Sequence, residues 1–337
     1  MTTTSTGYST RGSVAALIAQ TLRSYDCDPA PLLKTAGINL GRTPGDGTRY
    51  PVERMQQLWQ LVVDASGDAC FGFVAGQQLQ PAALHGLGFS WLASDTLRDA
   101  LNRLVRFSRL ISTAANIQLE DSTDGVELLL MPPTGVESFV HASLDAGLTG
   151  FLHMCRITAG DRINPSLVTL NRPKPDCARK IETFFRCPVQ YDADCYSLCF
   201  GKQLVDTPLI NANPELARIN DQAVVDYLAR FDRDSITMQV RSSIIERLHD
   251  GTPNQETIAE SLHVSLRSLQ RKLNKEETNF KTLLESTRHE LALHYIRETH
   301  RSLGEITYLL GFSEPSNFTR AFKRWTGKTP AEYREQE

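Results

Sequence analysis

Two segments in the C-terminal third of the chain share one pattern of apolar and polar positions. The first spans residues 258–273 and the second residues 306–322, and in both of them apolar residues recur every three or four positions on either side of a short break. The segments align with an offset of 48 residues before the break and 49 residues after it. Because this spacing is typical of one face of a helix, each segment predicts two helices joined by a turn, and the repeat predicts two copies of one unit.

The first unit carries helix signals on both sides of its turn. Thr252 is predicted to cap a helix that runs to about Leu262, with Pro253 at the first helical position. His263-Val264 are predicted to form the turn, and Ser265 is predicted to cap the second helix. The residues predicted to face inward on that second helix are Leu266, Leu269 and Leu273.

The second unit repeats these signals with different residues. Ser302 and Glu305 have the spacing of a capping box. Gly311 interrupts the helical pattern where a turn is needed, Ser313 is predicted to cap the next helix, and Pro315 lies in the first turn of that helix. The second unit is therefore predicted to be a helix-turn-helix like the first.

The segment between the units, about residues 279–299, predicts one continuous helix. At about 1.5 Å per residue, roughly 20 helical residues span about 30 Å. Successive major grooves on one face of a DNA duplex are about 34 Å apart. A linker helix of this length would hold the units at about 252–275 and about 302–326 over adjacent grooves, and we therefore expect an all-helical DNA-binding domain at 235–337.

Residues 1–205 mix helical and strand-like patterns, which predicts an α+β domain. Apolar residues at helical spacing cover residues 12–66 on both sides of a predicted loop at Gly41–Gly47. The runs Ile117–Glu120 and Val126–Met131 have the signal of a hairpin. Further predicted elements are a helix capped by Asp95 or Thr96, helices over Glu137–Ile157 and Ala178–Phe185, and strands at Leu167–Leu170, Val189–Tyr191 and Tyr196–Phe200, with Pro132-Pro133 ending the hairpin.

Residues 206–234 are predicted to form a helical linker region after Pro214. Phe231–Ser235 then has the polar composition of a connecting segment. The helix carries an apolar stripe, which fits either a dimerisation helix or a helix packed on its own domain, and the sequence leaves both open. The stripe consists of Leu216, Ile219, Ala223, Tyr227 and Leu228.

The composition is that of an ordinary globular protein, with 41% hydrophobic and 22% charged residues in a chain of 337. No apolar run approaches the ~18 residues of a membrane span. Met1–Ser13 lacks the apolar centre of a secretion signal. We therefore expect a cytoplasmic protein, and no motif in the sequence predicts a cofactor.

Charge restricts how such a protein can bind DNA. The net charge is −3, and residues 235–337 carry 15 Lys and Arg against 14 Asp and Glu, so binding must depend on where the cations lie. Arg and Gln pair with guanine and adenine edges in the major groove. The predicted base-reading residues are Arg267, Gln270 and Arg271 in the first unit and Ser316, Asn317 and Arg320 in the second. The predicted phosphate contacts are Ser265, Lys272, Lys275, Ser313, Lys323, Arg324 and Lys328.

Cysteine and histidine spacing gives no sign of a metal site. Seven cysteines all precede residue 200 without a CxxC pair, so unpaired and mostly buried thiols are expected. His289 and His294 are five residues apart, which places them about 140° apart on a helix, too far around it to share a metal. Both histidines are expected on a solvated face of the linker helix.

Three stretches of the second unit resemble the signature of AraC/XylS-type transcriptional regulators: Ile306–Phe312, Phe318–Lys323 and Gly327–Arg334. The resemblance covers residues 235–337 and implies a DNA-binding domain with two helix-turn-helix units. It also implies activation of transcription through contact with RNA polymerase, and carried over by position it gives the same base-reading residues. Glu314-Pro315 departs from the pattern, because it places an acid near the DNA.

The N-terminal part is similar, more loosely, to the helical and α/β effector-binding domain of one subgroup of these regulators, which is not the cupin-like kind. The matching residues are His85–Phe89, Thr96–Leu101 and Phe185–Tyr191. The similarity implies effector sensing and dimerisation, and it names no ligand. Candidate effector-binding residues are Arg106, Arg109 and His141, although the arginines also fit a solvated basic face and the histidine a core or interface position.

Two other functions stay open at the level of sequence. One is a DNA-binding module fused to a thiol-dependent repair enzyme that uses Cys177 or Cys187, which requires an accessible, electropositive thiol. The other is a DNA-binding protein that responds to no ligand. The leading interpretation is a regulator that performs no catalysis and is controlled by a small molecule.

Overall fold

The computed structural model describes residues 7–40, 47–123, 125–131, 139–297 and 301–335. The described residues form two compact units, one from Tyr8 to Leu228 and the other from Ala229 onward. Each unit has hydrophobic clusters of its own. The division falls inside a long helix, so one continuous helix contributes residues to both units.

The N-terminal unit is α+β, as predicted. Its helices are α1 (Gly12–Arg23), α2 (Ala30–Thr35), α3 (Val52–Ser66), α4 (Phe71–Gln77), α5 (Gly86–Leu92), α6 (Leu97–Phe107), α7 (His141–Ala159), α8 (Ala178–Phe185), α9 (Lys202–Asp206) and the start of α10 (Pro214–Asp234). Its strands are β1 (Ser9–Arg11), β2 (Arg49–Pro51), β3 (Asn116–Ser122), β4 (Gly125–Met131), β5 (Leu167–Thr169), β6 (Val189–Gln190) and β7 (Tyr196–Gly201).

Five of these strands form one mixed sheet in the order β3-β4-β7-β5-β6, in which only β5 and β6 run parallel. The predicted hairpin is confirmed, with Asn116 opposite Met131 at one end and Ser122 opposite Gly125 at the other. Every second residue of β4 is fully buried, because alternate side chains of a strand face the same side of the sheet. Helix α7 packs against β4 and β7 and places the core on that face.

Local signals located several elements correctly. Thr96 caps α6 by accepting a hydrogen bond from the Asp99 backbone N at 3.1 Å, and α8 has the predicted bounds. The prediction that residues 12–66 are helical on both sides of a single loop was wrong at Arg49–Pro51, because these residues form β2 and pair with β1 as a short antiparallel ribbon. Residues 41–46 of the predicted loop, Asp124 of the hairpin loop, Pro132-Pro133 and the predicted helix start at Glu137 lie outside the described residues.

The C-terminal unit is all-helical where it is described. After the end of α10 it contains α11 (Ile236–Arg247), α12 (Gln255–Ser261), α13 (Leu266–Lys275), α14 (Phe280–Arg297), α15 (Leu303–Leu309), α16 (Pro315–Thr326) and α17 (Pro330–Arg334). The connecting segment predicted at Phe231–Ser235 was wrong: α10 continues to Asp234, and Ser235 caps α11. The polar residues of this segment lie on the solvent-facing side of a helix. Composition alone does not distinguish such a helix from a linker.

Helix α14 is the shared support of the two predicted units. Leu283 belongs to a cluster with α11, α12 and α13, whereas Ala292 and Ile296 belong to a cluster with α15 and α16. Leu291 packs against both clusters. The linker helix ends in the structure at Arg297, and residues 298–299 of its predicted extent lie outside the described residues. None of the described helices combines the length and the apolar character needed to cross a membrane.

Candidate nucleic-acid interface

In the two helix-turn-helix units the turn lies at equivalent residues. His263 has φ +55° and Gly311 has φ +68°, and both lie in the left-handed region of backbone conformation. They are 48 residues apart, which is the offset of the sequence repeat. Each of these residues ends the first helix of its unit and redirects the chain toward the second, as the sequence pattern predicts.

The first unit presents α13 as its second helix. The Ser265 hydroxyl accepts a hydrogen bond from the Ser268 backbone N at 3.2 Å, which confirms Ser265 as the cap of this helix. Leu269 and Leu273 are almost fully buried against α11 and α12. Because these leucines fix one side of the helix in the core, the opposite side faces solvent.

The exposed side of α13 is cationic. All three predicted base readers on it, Arg267, Gln270 and Arg271, are exposed, and so are Lys272 and Lys275. Gln270 Nε2 donates to Gln255 Oε1 at 3.3 Å. Among the described residues the guanidinium groups of Arg267 and Arg271 have no ion-pair partner, and α13 itself contains no acidic residue. The helix therefore offers positive charge that its own unit does not neutralise.

The start of the first unit differs from the prediction. The helix begins at Gln255, so its cap is Asn254, whose Oδ1 accepts a hydrogen bond from the Thr257 backbone N at 2.7 Å. Thr252, predicted as the cap, instead donates its hydroxyl hydrogen to the carbonyl oxygen of Gly311 at 2.7 Å. Thr and Asn are both favoured at the N-cap, so the sequence alone does not decide which of the two residues caps the helix.

The second unit presents α16. The Ser302–Glu305 capping box is complete, with the Glu305 backbone N donating to Ser302 Oγ at 3.1 Å and the Ser302 backbone N donating to Glu305 Oε2 at 2.7 Å. Pro315 is the first residue of α16, as predicted. Ser313 is not the cap: Glu314 occupies that position and makes no capping hydrogen bond, because the helix begins one residue later than predicted.

The exposed side of α16 is partly occupied by its own contacts. Arg320 donates to Asn317 Oδ1 at 2.6 Å, and the Ser316 hydroxyl donates to Glu314 Oε2 at 3.3 Å. Arg324 lies 3.5 Å from the Glu285 carboxylate. The other predicted phosphate contacts, Ser313, Lys323 and Lys328, are exposed. Helix α16 thus carries exposed cations as well, but the acidic residue Glu314 lies directly before its first residue.

One buried arginine joins the two helix-turn-helix units of the C-terminal unit. Arg288 of α14 donates from Nε to the Leu310 carbonyl oxygen at 2.8 Å and from Nη2 to the Gly311 carbonyl oxygen at 2.8 Å and to Thr252 Oγ1 at 2.6 Å. Its guanidinium also lies 4.3 Å from the centre of the Phe312 ring. We name Arg288, Thr252, Leu310 and Gly311 the inter-unit clamp, because these contacts connect the start of the first unit to the turn of the second.

His289 is not on a solvated face, contrary to the expectation for the linker helix. It is 6% exposed and stacks on Trp325, with ring centres 5.1 Å apart and planes 23° apart. Burial lowers the pKa of His289 from 6.5 to about 4. His294 is exposed, as expected. Helical spacing gives the angle of a residue on its helix, but not whether another element covers that side.

The buried imidazole predicts an acid-sensitive C-terminal unit. Between pH 6.5 and about 4 the unfolded chain binds a proton at His289 that the folded unit does not bind, so stability is present above pH 6.5 and is lost as pH falls through this window. We expect a loss of about 1–3 kcal/mol in the free energy of unfolding. Urea unfolding of the wild type and of His289→Phe at several pH values measures it. A wild-type profile parallel to that of the variant would contradict the assignment.

The candidate effector residues lie in separate surroundings within the N-terminal unit. Arg106 is exposed with its guanidinium 4.8 Å from the Phe107 ring centre, and the Arg109 carbonyl oxygen accepts a hydrogen bond from Arg49 at 3.2 Å. His141 Nδ1 lies 3.1 Å from the Tyr196 hydroxyl, and burial and the nearby Arg172 lower the pKa of this histidine. The structure does not bring the three residues together.

Tyr196 connects His141 to a buried ion pair. Asp145 is fully buried on α7 and pairs with Arg172, and burial raises the pKa of this aspartate to about 7. The Tyr196 hydroxyl also interacts with the Asp145 carboxylate. No sequence pattern indicated this network, because its members come from distant parts of the chain.

Cys177 and Cys187 lack the accessible, electropositive thiol that the alternative of a repair enzyme requires. Cys70 and Cys177 form a disulfide, which corrects the expectation of unpaired thiols. These residues precede α4 and α8 and are 107 residues apart in sequence, so only the packing of the two helices brings them together. Asp68 lies beside the two sulfurs, but both are already bonded. Burial raises the pKa of Cys187 to about 11, which makes its thiol a poor nucleophile.

Comparison with known proteins gives the family of the chain. Residues 258–336 match the family model of a helix-turn-helix domain, and residues 27–209 match that of the arabinose-binding domain of the AraC transcription regulator. The chain belongs to the AraC/XylS family. As a member of this family it is a transcriptional regulator that combines a DNA-binding helix-turn-helix domain with an N-terminal ligand-binding domain.

Two curated relatives match along most of their length. The ornithine utilization regulator of Pseudomonas aeruginosa is 31% identical over 80% of this chain and 79% of its own. An uncharacterized helix-turn-helix regulator of Mycobacterium tuberculosis, Rv1395, is 27% identical over 84% of this chain and 83% of its own. The crystal structure of the transcriptional regulator CdpR from Pseudomonas aeruginosa covers 94% of this chain and 97% of its own, with 19% identity and a TM-score of 0.44.

Proposed function

We propose that this regulator activates transcription in the cytoplasm in response to a small-molecule effector, and that α13 and α16 enter consecutive major grooves of one duplex. The observation that carries the proposal is the pair of helices with exposed cations, α13 and α16, that pack on one shared support, α14. Activation would proceed through contact with RNA polymerase. Activators occur among the relatives, including the urease operon transcriptional activator of Escherichia coli, which is 29% identical over 32% of this chain.

Within the proposal, base reading falls on Arg267, Gln270 and Arg271 of α13 and on Ser316, Asn317 and Arg320 of α16. The cations Lys272, Lys275, Lys323, Arg324 and Lys328 bind phosphates, together with Ser265, the cap of α13, and Ser313, which precedes α16. Arg267 and Arg271 are exposed without an ion-pair partner among the described residues, which supports their role. Because Glu314 repels phosphate near α16, the first unit contributes more sequence preference than the second.

Dimerisation is also part of the proposal. Leu216 and Ile219 of the predicted apolar stripe on α10 are 46% and 51% exposed. On the same helix Ala217 and Val224 are buried, so α10 packs on its own unit through one side and offers apolar side chains on another. These exposed residues support a contact with a second copy of the chain.

Two substitutions test base reading directly. Arg267→Ala and Arg320→Ala are each expected to weaken binding to the cognate site by about 1–3 kcal/mol and to relax the preference at one base pair, because each removes a donor pair for a base edge. Fluorescence anisotropy with the cognate duplex, selected from random sequence by the wild-type protein, measures this, together with duplexes that carry single base-pair changes.

Lys275→Ala is the control for these variants. Removing a phosphate contact is expected to weaken binding equally on all sequences and to reduce the salt dependence by about one charge. If Arg267→Ala and Arg320→Ala behaved as Lys275→Ala does, base reading by these residues would be excluded. Equal affinity of the wild type for selected and scrambled duplexes would instead favour a binder that uses no sequence preference.

A further inference from the structure

The N-terminal unit contains a cavity of about 170 Å³ that none of the predicted effector residues lines. It lies between α1 and α3 on one side and α7 and β4 on another. Its walls are mostly apolar, and the side chains that dominate them are Leu17, Met55, Trp59, Leu130, Phe139 and Phe151. The cavity therefore lies where the N-terminal helices meet the sheet layer.

The described residues that line the cavity carry no charge. Several of its polar groups are already engaged: Thr10 and Ser112 share a hydrogen bond of 2.9 Å between their hydroxyls, and Gln56 Oε1 accepts from the Val140 backbone N at 2.8 Å. The Gln56 amide is held in place with one hydrogen directed toward Ser143 Oγ at 3.4 Å. An ion placed here would lack a counter-charge, and burying an unpaired charge is very unfavourable.

We propose that this cavity is the effector site and that it takes an uncharged, mainly apolar molecule about the size of one substituted aromatic ring. An apolar cavity of roughly 150 Å³ binds benzene in another protein, so the volume here suits a single ring with a small substituent. The second amide hydrogen of Gln56 is a donor for a polar substituent of such a molecule. The inference rests on the proposed function, because it names the chemistry of the effector that the regulator senses.

Fluorobenzene is the probe, and its binding to the full chain is followed by ¹⁹F NMR. Ala83 lines the cavity, whereas its neighbour Ala82 on the same turn is exposed, so Ala83→Leu fills the cavity and Ala82→Leu is its matched control. We expect Ala83→Leu to weaken binding by at least about tenfold and Ala82→Leu to leave it unchanged. L-Ornithine, which is charged, and L-arabinose, which is polar, are expected not to displace the probe.

Three results would overturn the proposal: no binding of fluorobenzene to the wild type, equal binding to wild type and Ala83→Leu, or displacement of fluorobenzene by either polar compound. Ala115→Leu fills the cavity from a different segment and replaces Ala83→Leu if thermal unfolding shows that the latter does not fold. Anisotropy with the selected duplex is measured on the same samples. Probe binding without sequence preference would contradict the DNA-reading proposal alone, whereas sequence preference without probe binding would contradict the cavity proposal alone.

Discussion

Gly311→Ala is expected to lower the free energy of unfolding of the C-terminal unit by about 2–4 kcal/mol. A Cβ at this position would lie 2.7 Å from the Gly251 carbonyl oxygen and 2.8 Å from the Leu248 carbonyl oxygen. Both are backbone atoms, so no side-chain rotation relieves the contact. The left-handed conformation, with φ +68°, adds about 1–2 kcal/mol for any residue that carries a Cβ.

The equivalent turn of the first unit provides the control. His263 adopts φ +55° with a Cβ already present, so its left-handed conformation is tolerated without a backbone clash. His263→Ala is therefore expected to change the free energy of unfolding by less than about 1 kcal/mol. Urea unfolding of both variants measures the difference. A loss for Gly311→Ala of only about 1–2 kcal/mol would mean that the left-handed conformation alone, and not the close approach at Gly311, makes the glycine necessary.

Signals carried by neighbouring residues were predictable from the sequence. The caps at Thr96, Ser265 and Ser302 depend on residues three apart, and the hairpin between β3 and β4 depends on two adjacent runs. Caps failed at Thr252 and Ser313, where two candidate residues stand close together and the helix start decides between them. Local chemistry thus predicts that a helix is present more reliably than it predicts the residue at which the helix begins.

Features that need distant partners were not predictable. The Cys70–Cys177 disulfide, the Asp145–Arg172 pair and the apolar cavity each depend on how separate elements pack. The ribbon of β1 and β2 was missed for a related reason, because three-residue strands are too short to show an alternating pattern. For the proposed DNA-reading residues, the sequence predicted which side chains of α13 face solvent, since amphipathic spacing separates them from the core.

The inter-unit clamp could not be inferred from the repeat, because it joins the two copies at residues that play different roles in each. Thr252 precedes the first unit, whereas Leu310 and Gly311 form the turn of the second. Arg288 reaches all three from the helix between them. We expect these contacts to fix the orientation of one helix-turn-helix unit relative to the other, which the proposed reading of two grooves requires and the linker length alone does not provide.

Arg288→Met is therefore expected to cost about 3 kcal/mol of stability and to weaken binding to a duplex with both half-sites. The substitution keeps apolar bulk near Phe312, but it removes the buried Arg288 donor of the Leu310 carbonyl oxygen and one of the two donors of the Gly311 carbonyl oxygen, which keeps the Thr252 hydroxyl. A buried acceptor left unsatisfied costs about 1–3 kcal/mol. Urea unfolding measures the first effect, and anisotropy with two-half-site and single-half-site duplexes measures the second. Lys281→Met, which removes an exposed cation from the same helix, is the matched control.

The half-site comparison separates orientation from stability. If Arg288 fixes how the units are held, Arg288→Met loses most of its affinity on the two-half-site duplex and little on the single one, at a temperature where the variant is still folded. The advantage of binding two linked sites depends on a geometry that allows both to be occupied together. Equal losses on both duplexes would show that Arg288 contributes only to stability, and the orientation of α13 and α16 would then have to come from the packing of α14 alone.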